Sequence, residues 1–326
     1  MLGTTPCVKD PLLDFGRNPS KFITLSKLSV MEYYLTTLET PHLALSERRL
    51  QLQKLVLLYD VPPDRRERVW MILLGIGYVN SKRYVDLVRR GQSIDAEKIR
   101  KDVHRTFSNN VSFHKKVSLS SISRVLNALV HDLDIRYVQG MNVLLGPLLY
   151  VADEVFGFYM FRRLYSLARS YFSPDLCGVH AGCALLEDIM GVIDPELQQK
   201  LFKHNLRGFL WGFDVIMTFG ACLQPLDEVL KLWDFLFSFG LGLMPLLSCL
   251  RIIKVRDMLL SHNNPYEIIR TRAITFDAKN DISMALQYLV LLPDQLKKRL
   301  CSHFGDTDVC KAINPSSLRP LNHACL

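Results

Sequence analysis

The sequence lacks the segments that mark a secreted or membrane-spanning protein. Its first residues contain no basic stretch followed by an apolar run and a small-residue cleavage site. The two longest uncharged runs, Tyr137–Ala152 and Phe235–Leu250, each hold about 16 residues, whereas a helix that crosses a bilayer needs about 20. Both runs contain glycine and proline, which indicates loop and buried core. We therefore expect a cytoplasmic protein with no transmembrane segment.

Patterns that bind metals are also scarce. The eight cysteines are scattered along the chain, as is typical of reduced thiols in the cytoplasm or nucleus. Cys177, His180 and Cys183 have the spacing C-x2-H-x2-C, but no convincing fourth ligand accompanies them, and zinc sites usually pair two such groups. We interpret these residues as core or as the start of a helix, and expect no metal.

The usual patterns of catalytic and nucleotide-binding sites are missing as well. There is no Ser/His/Asp set, phosphate-binding loop or dinucleotide-binding glycine pattern, so the chain is expected to bind no nucleotide without a partner. Asp132 and Asp134 beside His131 could mimic a paired-acid site. We interpret these two carboxylates as groups that cap or solvate the end of a helix.

Positive charge is concentrated in one part of the chain. Between Ser46 and Lys116, 16 Lys or Arg stand against 8 Asp or Glu, an excess that equals the net charge of +8 for the whole chain. A basic surface of this kind suits an acidic partner, a phosphate group or a nucleic acid, and it is equally typical of a solvated helical surface. No aromatic-interleaved basic motif is present, so we expect no nucleic-acid partner.

Apolar residues recur mainly at intervals of three to four, which predicts an all-α fold with few strands. The predicted segments are a helix after each of Ser46, Asp64 and Ser120, and helices over 81–90, 94–107, 153–171, 181–193, 195–202, 226–239, 243–260, 281–292 and 293–304. Residues 1–45 are interpreted as an N-terminal arm with a short helix near 29–38, residues 46–304 as the folded domain, and residues 305–326 as a tail.

Three short segments combine charged, aromatic and amide side chains: Arg66 to Trp70, followed by Met71 to Gly75, then Ile99 to Phe107, and Arg136 to Asn142. Each has an ordinary structural interpretation by itself. An arginine one turn before a tryptophan commonly covers the ring, and an aspartate one turn before an arginine forms a surface ion pair. A glycine after Tyr-x-Gln permits a turn with positive φ.

Together, and in this order, the segments resemble the signature of the TBC-domain family of Rab GTPase-activating proteins. The family motifs R-x-x-x-W, I-x-x-D-x-x-R and Y-x-Q are matched by Arg66 and Trp70, by Ile99, Asp102 and Arg105, and by Tyr137 and Gln139. Later, Pro225-Leu226 and Trp233-Asp234 are similar to the P-L and W-D landmarks of the family. The resemblance covers residues 46–300 and implies a multi-helical TBC fold with two helical subdomains.

The resemblance also implies a mechanism. A GTPase activator of this kind inserts a guanidinium that neutralises charge in the transition state of GTP hydrolysis, an effect of roughly 10³–10⁵ in rate. Arg105 is the implied arginine finger, and Gln139 is the implied amide that orients the attacking water. GTP and Mg²⁺ would be carried by the partner GTPase, so the chain itself needs no cofactor.

Supporting roles follow from the same resemblance. Asp102 is expected to hold the Arg105 side chain, Tyr137 to flank the glutamine and contact the switch region, and Gly140 to let the backbone approach closely. Arg66 and Trp70 are expected to form a scaffold beneath the finger.

Departures from the family pattern put a borrowed substrate preference in doubt. Asp60 stands where many members have glycine, Phe107-Ser108 replace a region that usually holds proline, and Arg136 replaces a small residue before the tyrosine. None of them removes a group that the mechanism needs.

The likeness extends to a cell-cycle branch of the family that restrains mitotic exit and septation in fungi. The residues that carry it are 105–107, 137–145, 147–150, 226–227 and 231–235. That branch implies an activating subunit that works with a scaffold subunit on a small GTPase at the spindle pole body. The alternative is a non-catalytic module that holds a GTPase or a scaffold in vesicle trafficking or cell-cycle signalling.

Overall fold

The structure is a computed structural model that describes residues 34, 37–38, 43–270 and 274–305. These residues form α-helices joined by short loops and two 3-10 turns, and they contain no β-strand. The predicted all-α fold class is therefore confirmed. No helix in these ranges has both the length and the apolarity of a membrane span. Most of the predicted arm, with its helix near 29–38, and nearly all of the predicted tail lie outside the described residues.

The first half of the described chain is built around helix α6. The helices are α1 Leu45–Leu58, α2 Arg66–Leu73, α3 Ser81–Arg89, α4 Ala96–Val103, α5 Val111–Lys116, α6 Leu119–Leu133, α7 Met141–Val151 and α8 Glu154–Leu167. Helix α6 packs against α3, α4, α7 and α8. Its Ile122, Val125, Leu126 and Leu129 share one face and are fully buried, as their spacing predicts.

The second half packs around α9 and α12. The helices are α9 Cys177–Ile193, α10 Pro195–Lys203, α11 Gly208–Met217, α12 Leu226–Phe239, α13 Met244–Ile253, α14 Arg256–Ser261, α15 Pro265–Arg270, α16 Ala278–Leu291 and α17 Asp294–Ser302, with 3-10 turns at Arg169–Phe172 and Leu241–Leu243. Helix α9 packs against α11 and α13, whereas α12 packs back against α1, α2 and α7. Buried side chains of both halves therefore form one continuous hydrophobic core.

Two helices begin at other caps than predicted. Helix α1 starts one residue before Ser46, with Ala44 at the N-cap, where the Ala44 backbone N–H donates to the Glu47 carboxylate at 3.0 Å. Helix α6 starts after Ser118 rather than Ser120, because the Ser118 hydroxyl accepts the backbone N–H three residues later at 3.0 Å. In both places several side chains can satisfy the N–H groups of the first turn, and the sequence does not decide between them.

The two long uncharged runs, expected to be loop and core, are largely helical. The first contains α7, with Pro147 inside the helix, and the second contains the end of α12 and most of α13. Pro147 removes a backbone donor from α7, which weakens an isolated helix. The neighbouring Leu144, Leu145 and Leu148 are fully buried, so tertiary packing outweighs the local signal.

The predicted helix over 243–260 is broken between α13 and α14. At the break Lys254 forms an ion pair with the buried Asp281 carboxylate of α16. Just after it, Arg256 Nε donates to Asp194, between α9 and α10, at 2.6 Å. The break thus lets Lys254 reach α16 while Arg256 reaches the junction of α9 and α10. These partners are distant in the sequence, so local periodicity could not predict the break.

Other bounds also shift. The predicted helix over 153–171 ends at Leu167 and continues as a 3-10 turn, and the helix expected from Ala181 already begins at Cys177. The sequence pattern does not predict α5, α11 or α15. Helices α5 and α15 have only six residues each, which is too short for a periodic signal.

The start of α9 contains the C-x2-H-x2-C residues. Cys177 and Cys183 are buried, and the His180 ring stacks on Phe209 with centroids 5.1 Å apart, which confirms their interpretation as core and helix start. Among the described residues, no cluster of three or more His, Cys, Asp or Glu side chains is arranged to hold a metal ion. Cys183 carries a free thiol, whereas Cys177 is disulfide-bonded. The expectation of reduced thiols is wrong for Cys177, because spacing does not reveal which cysteines meet in space.

Candidate functional site

The segment after α4 is not helical. Helix α4 ends at Val103 rather than at the predicted Phe107. The Thr106 hydroxyl donates to the Asp102 carbonyl at 2.9 Å, a contact that competes with regular helix geometry. The Phe107 backbone has a φ of +50°, which a continuing right-handed helix cannot contain. Arg105 therefore lies in a turn at the end of α4.

The Asp102 carboxylate joins the second and third motifs. Its Oδ1 accepts Arg105 Nε at 3.1 Å and Nη2 at 2.9 Å, and its Oδ2 accepts the Tyr137 hydroxyl at 2.8 Å. Asp102 and Tyr137 are buried, whereas the Arg105 side chain is 42% exposed. Burial of the phenol, reinforced by the Asp102 charge, raises the pKa of Tyr137. A buried carboxylate thus fixes one side of a guanidinium that reaches the surface.

Asp95, at the N-cap of α4, holds the third motif from the other side. Its carboxylate accepts Arg136 Nε at 2.9 Å and Nη2 at 2.7 Å, and also the Tyr137 backbone N–H at 2.8 Å. The Asp95 side chain is fully covered. The hydrogen bonds from Arg136 lower the pKa of Asp95 to about 2. Arg136, which departs from the family pattern, thus helps to attach the loop before α7 to α4.

Gln139 and Gly140 lie where α7 begins. Gly140 occupies the N-cap with a φ of +104°, a conformation that other residues adopt only with strain. A Cβ at Gly140 would lie 3.3 Å from Met217 Cε and 3.4 Å from its Cγ, so the backbone here packs closely on α11. Gln139, just before it, is exposed. Its amide is therefore displayed on the same loop that Tyr137 anchors.

Asn142 and Asp95 are site residues to which the sequence analysis assigns no role. Asn142 is a polar residue of α7 that is buried among apolar neighbours. Its amide contacts both the Arg105 turn and the Gln139 loop. The available signal is a single polar residue inside an apolar run, which is unusual unless its amide is hydrogen-bonded. Asp95 carries no such signal, because its partners lie about forty positions away.

The first motif lies in the core. Arg66 Nε and Nη2 donate to the Asp234 carboxylate of α12 at 3.0 Å and 3.1 Å, and Trp70 Nε1 donates to it at 2.6 Å. Arg66 and Trp70 therefore bind the same Asp234 carboxylate. These hydrogen bonds, rather than a cation–π contact between the two side chains, fix their positions. Asp234 is therefore a buried, hydrogen-bonded carboxylate of α12. The scaffold that Arg66 and Trp70 form joins α2 to α12.

The two carboxylates at the end of α6 differ from each other. Asp134 is the C-cap of α6 in the left-handed conformation, as a capping role predicts. The expectation that Asp132 caps or is solvated is wrong. Its side chain is fully buried and accepts Arg83 Nε at 2.8 Å and Arg162 Nε at 2.7 Å, because α3 and α8 each bring an arginine to it. Two guanidinium partners compensate for the burial of its charge.

The second and third motifs thus meet at one surface, and the first motif braces the helices behind them. A family model described as the Rab-GTPase-TBC domain matches residues 63–260, a range that contains all three motifs. The chain belongs to this family.

Two curated relatives resemble this TBC domain over most of its length. Cell division control protein 16 of Schizosaccharomyces pombe is 35% identical, with 79% of this chain and 89% of the relative covered. Mitotic check point protein BUB2 of Saccharomyces cerevisiae is 29% identical, with 83% of this chain and 97% of the relative covered. The resemblance to the cell-cycle branch of the family is therefore confirmed.

Two solved structures share the fold. The Ypt/Rab-GAP domain of Gyp1p superposes with a TM-score of 0.68 at 17% identity, covering 81% of this chain and 97% of that domain. The Chlamydomonas flagellar RabGAP TBC domain superposes with a TM-score of 0.65 at 21% identity, covering 79% of this chain and 89% of that domain. Both support the multi-helical TBC fold predicted from the motifs.

Proposed function

We propose that this TBC domain accelerates GTP hydrolysis by a Rab- or Ras-like small GTPase, with Arg105 and Gln139 inserted into the nucleotide site of the partner. One observation carries the proposal. The Arg105 guanidinium and the Tyr137 hydroxyl are held by the same Asp102 carboxylate, and Gln139 is exposed two residues after that tyrosine. A buried carboxylate thus holds the cation directly, and through Tyr137 it holds the loop that carries the amide.

The cation suits the transition state. During phosphoryl transfer, negative charge spreads over the γ-phosphate oxygens, and a guanidinium in a water-poor site neutralises it. Arginine remains charged and donates through a planar fork. Asp102 engages Nε and Nη2 of Arg105, which reduces the rotamers that must be lost on insertion. A finger of this type is worth about 4–7 kcal/mol of barrier.

The amide suits the attacking water. The Gln139 side chain both donates and accepts hydrogen bonds, so it can orient a water in line with the γ-phosphate. Tyr137 is buried and its hydroxyl donates to Asp102, so it would position the glutamine loop rather than contact the switch region, as the resemblance led us to expect. Gly140 would permit close backbone approach. Arg66 and Trp70 would act only through the packing of α2 on α12.

We further propose that the domain extends over residues 46–304, with an N-terminal arm and a C-terminal tail. Helices α1 and α17, outside the matched range, pack on the same core as the rest. The names of the two relatives refer to cell division and a mitotic check point. They support a role in cell division. From the family resemblance we further propose a cytoplasmic activating subunit, located at the spindle pole body, that works with a scaffold subunit to restrain mitotic exit, septation or cytokinesis.

The experiment is a turnover screen. The full chain, with and without co-purifying proteins, is added to a panel of purified small GTPases loaded with GTP and Mg²⁺, and phosphate release is measured. Arg105→Ala and Gln139→Ala are each expected to lower the accelerated rate by about 10²-fold or more. Arg299→Ala and Gln287→Ala are the matched controls, since one is a half-exposed arginine paired with Asp188 and the other an exposed glutamine of α16.

The outcomes separate the two candidate functions. Loss of acceleration in both site variants, with normal circular dichroism and normal controls, supports catalysis in trans. Wild-type rates from both variants contradict it. A GTPase that binds the chain but is not accelerated identifies the non-catalytic module instead.

A further inference from the structure

Asn142 lies between the two segments assigned to catalysis and contacts both. Its Nδ2 donates to the Thr106 hydroxyl at 2.8 Å and lies 3.3 Å from the Asp102 carbonyl. Its Oδ1 accepts the Gly140 backbone N–H at 3.2 Å and lies 3.1 Å from the Tyr137 hydroxyl. Asn142 is only 3% exposed, so its amide is surrounded by these protein groups rather than by solvent.

We infer that Asn142 is a positioning residue that fixes the Arg105 turn relative to the Gln139 loop. This inference rests on the proposed function. A carboxamide can donate two hydrogen bonds and accept two. Here the donors face the turn after α4, and the acceptor faces the loop before α7. One planar group therefore ties together two backbone segments about 36 to 40 positions apart in the chain.

The arrangement suits positioning better than packing alone. Asn142 stands in the first turn of α7, where leucine would satisfy the surrounding apolar core. It instead binds the groups that flank each exposed side chain: Thr106 follows Arg105, and Gly140 follows Gln139. The hydrogen bonds of Asn142 reach Thr106 and Gly140 rather than the catalytic side chains themselves, so we expect it to act through the segments that carry them. A displacement of about 1 Å in such an arrangement costs about 10²-fold in rate.

The test compares two buried asparagines. Asn127 is also buried, and its amide accepts the Ser93 backbone N–H at 2.7 Å and donates to the Ser123 carbonyl at 2.8 Å. Asn127 joins α6 to the segment that precedes α4. Asn142→Ala and Asn127→Ala are assayed on whichever small GTPase shows the largest acceleration in the turnover screen. We expect kcat to fall about tenfold or more for Asn142→Ala, with KM changed less than about threefold. For Asn127→Ala we expect less than about a twofold change in kcat.

A double-mutant cycle with Arg105→Ala isolates the positioning effect. If Asn142 acts by aligning the finger, its removal in the Arg105→Ala background lowers kcat by less than about threefold, because the finger is already gone. An undiminished effect in that background, or equal effects of Asn142→Ala and Asn127→Ala, contradicts the inference while leaving the proposed function intact. Wild-type turnover by Arg105→Ala contradicts the proposed function and removes this inference with it.

A second variant guards against misfolding. Thr106→Val is nearly isosteric and deletes only the hydroxyl that receives Asn142 Nδ2. It should lower kcat in the same direction, by about threefold or more, with an unchanged circular dichroism spectrum. Amide hydrogen exchange of the uncomplexed chain supplies a readout without a GTPase. The Gly140 amide should exchange about tenfold faster in Asn142→Ala and at the wild-type rate in Asn127→Ala. Unchanged protection of Gly140 overturns the inference.

Discussion

The Arg66 guanidinium and the Asp234 carboxylate are 168 positions apart in the chain and meet in the core through two nitrogen atoms. Arg66 belongs to the first motif of the TBC family, and Asp234 belongs to its W-D landmark. Both side chains are almost completely covered. The two patterns are therefore one structural unit, which clamps α2 to α12 and joins the halves of the domain.

Removing one partner of this pair should destabilise the fold strongly. Asp234→Ala leaves the Arg66 charge buried with the Val61 carbonyl but no carboxylate as its acceptor, and it leaves the Trp70 N–H without the acceptor it has now, at a cost of about 3–5 kcal/mol. The matched control is Asp188→Ala, whose carboxylate is 48% exposed and pairs with Arg299 at 2.7 Å, and it should cost about 1 kcal/mol or less. Urea unfolding at pH 7 measures both. Similar losses for the two variants would show that the core pair is not the clamp.

Acid stability should depend on Asp95. The Arg136 hydrogen bonds lower the pKa of Asp95 from 3.8 to about 2, so the folded state binds this proton less readily than the unfolded state. The stabilisation is fully present above about pH 5 and is lost as the pH falls toward 2. It amounts to about 1 kcal/mol, because solvent screens the exposed Arg136 side chain.

Asp95→Asn tests this dependence. Free energies of unfolding for wild type and variant should differ by a constant amount between pH 7 and 5, and the difference should shrink below pH 4. A difference that stays constant down to pH 3 would mean that the ionised Asp95 is not what stabilises the loop.

Gly140 should be intolerant of a side chain for two reasons. Its φ of +104° is strained for alanine, and the new Cβ would lie 3.3 Å from Met217 Cε. Gly75 is a control for the first reason alone, since its φ is +71° and a Cβ would meet nothing within 4 Å. Gly75→Ala should cost about 1–2 kcal/mol, and Gly140→Ala more. Only Gly140→Ala should also reduce GTPase acceleration. Equal losses of stability with unchanged acceleration would contradict the close packing described for this loop.

The Tyr137 hydroxyl should matter for rate as well as stability. Tyr137→Phe keeps the ring but removes the proton that faces Asp102. Tyr84→Phe is the matched control, because Tyr84 is also buried and its hydroxyl donates to Glu154 at 2.7 Å. Both variants should lose about 1–2 kcal/mol of stability. Only Tyr137→Phe should lower kcat, by about tenfold. A parallel loss of kcat in Tyr84→Phe would attribute the effect to general destabilisation.

The sequence predicts best those elements whose signals are local. Helix α12 has the predicted bounds Leu226–Phe239, since its apolar residues recur regularly between Pro225 and Gly240. Helix α3 ends within one residue of the predicted bound because Gly91, with a φ of +74°, closes it. The motif spacings likewise place Arg105 and Tyr137 on separate segments, which the Asp102 carboxylate joins.

The remaining features depend on contacts that the sequence does not display. Pro147 argues against a helix, and only the buried leucines around it explain why α7 forms. Asp95 and Asn142 hold the site through partners more than 30 positions away. The end of α4 at Val103 depends on the Thr106 hydroxyl and its partners. These are tertiary effects, which no window of neighbouring residues contains.

The central claim is that the Arg105 guanidinium stabilises the transition state of GTP hydrolysis in a partner GTPase. A transition-state analogue binds more tightly than the ground state only where such stabilising groups are present. The direct measurement is binding of the chain to the GDP-loaded GTPase with and without aluminium fluoride. We expect aluminium fluoride to strengthen binding of the wild type and of Arg299→Ala and to have no effect on binding of Arg105→Ala. An equal gain for Arg105→Ala would show that its guanidinium does not stabilise the transition state.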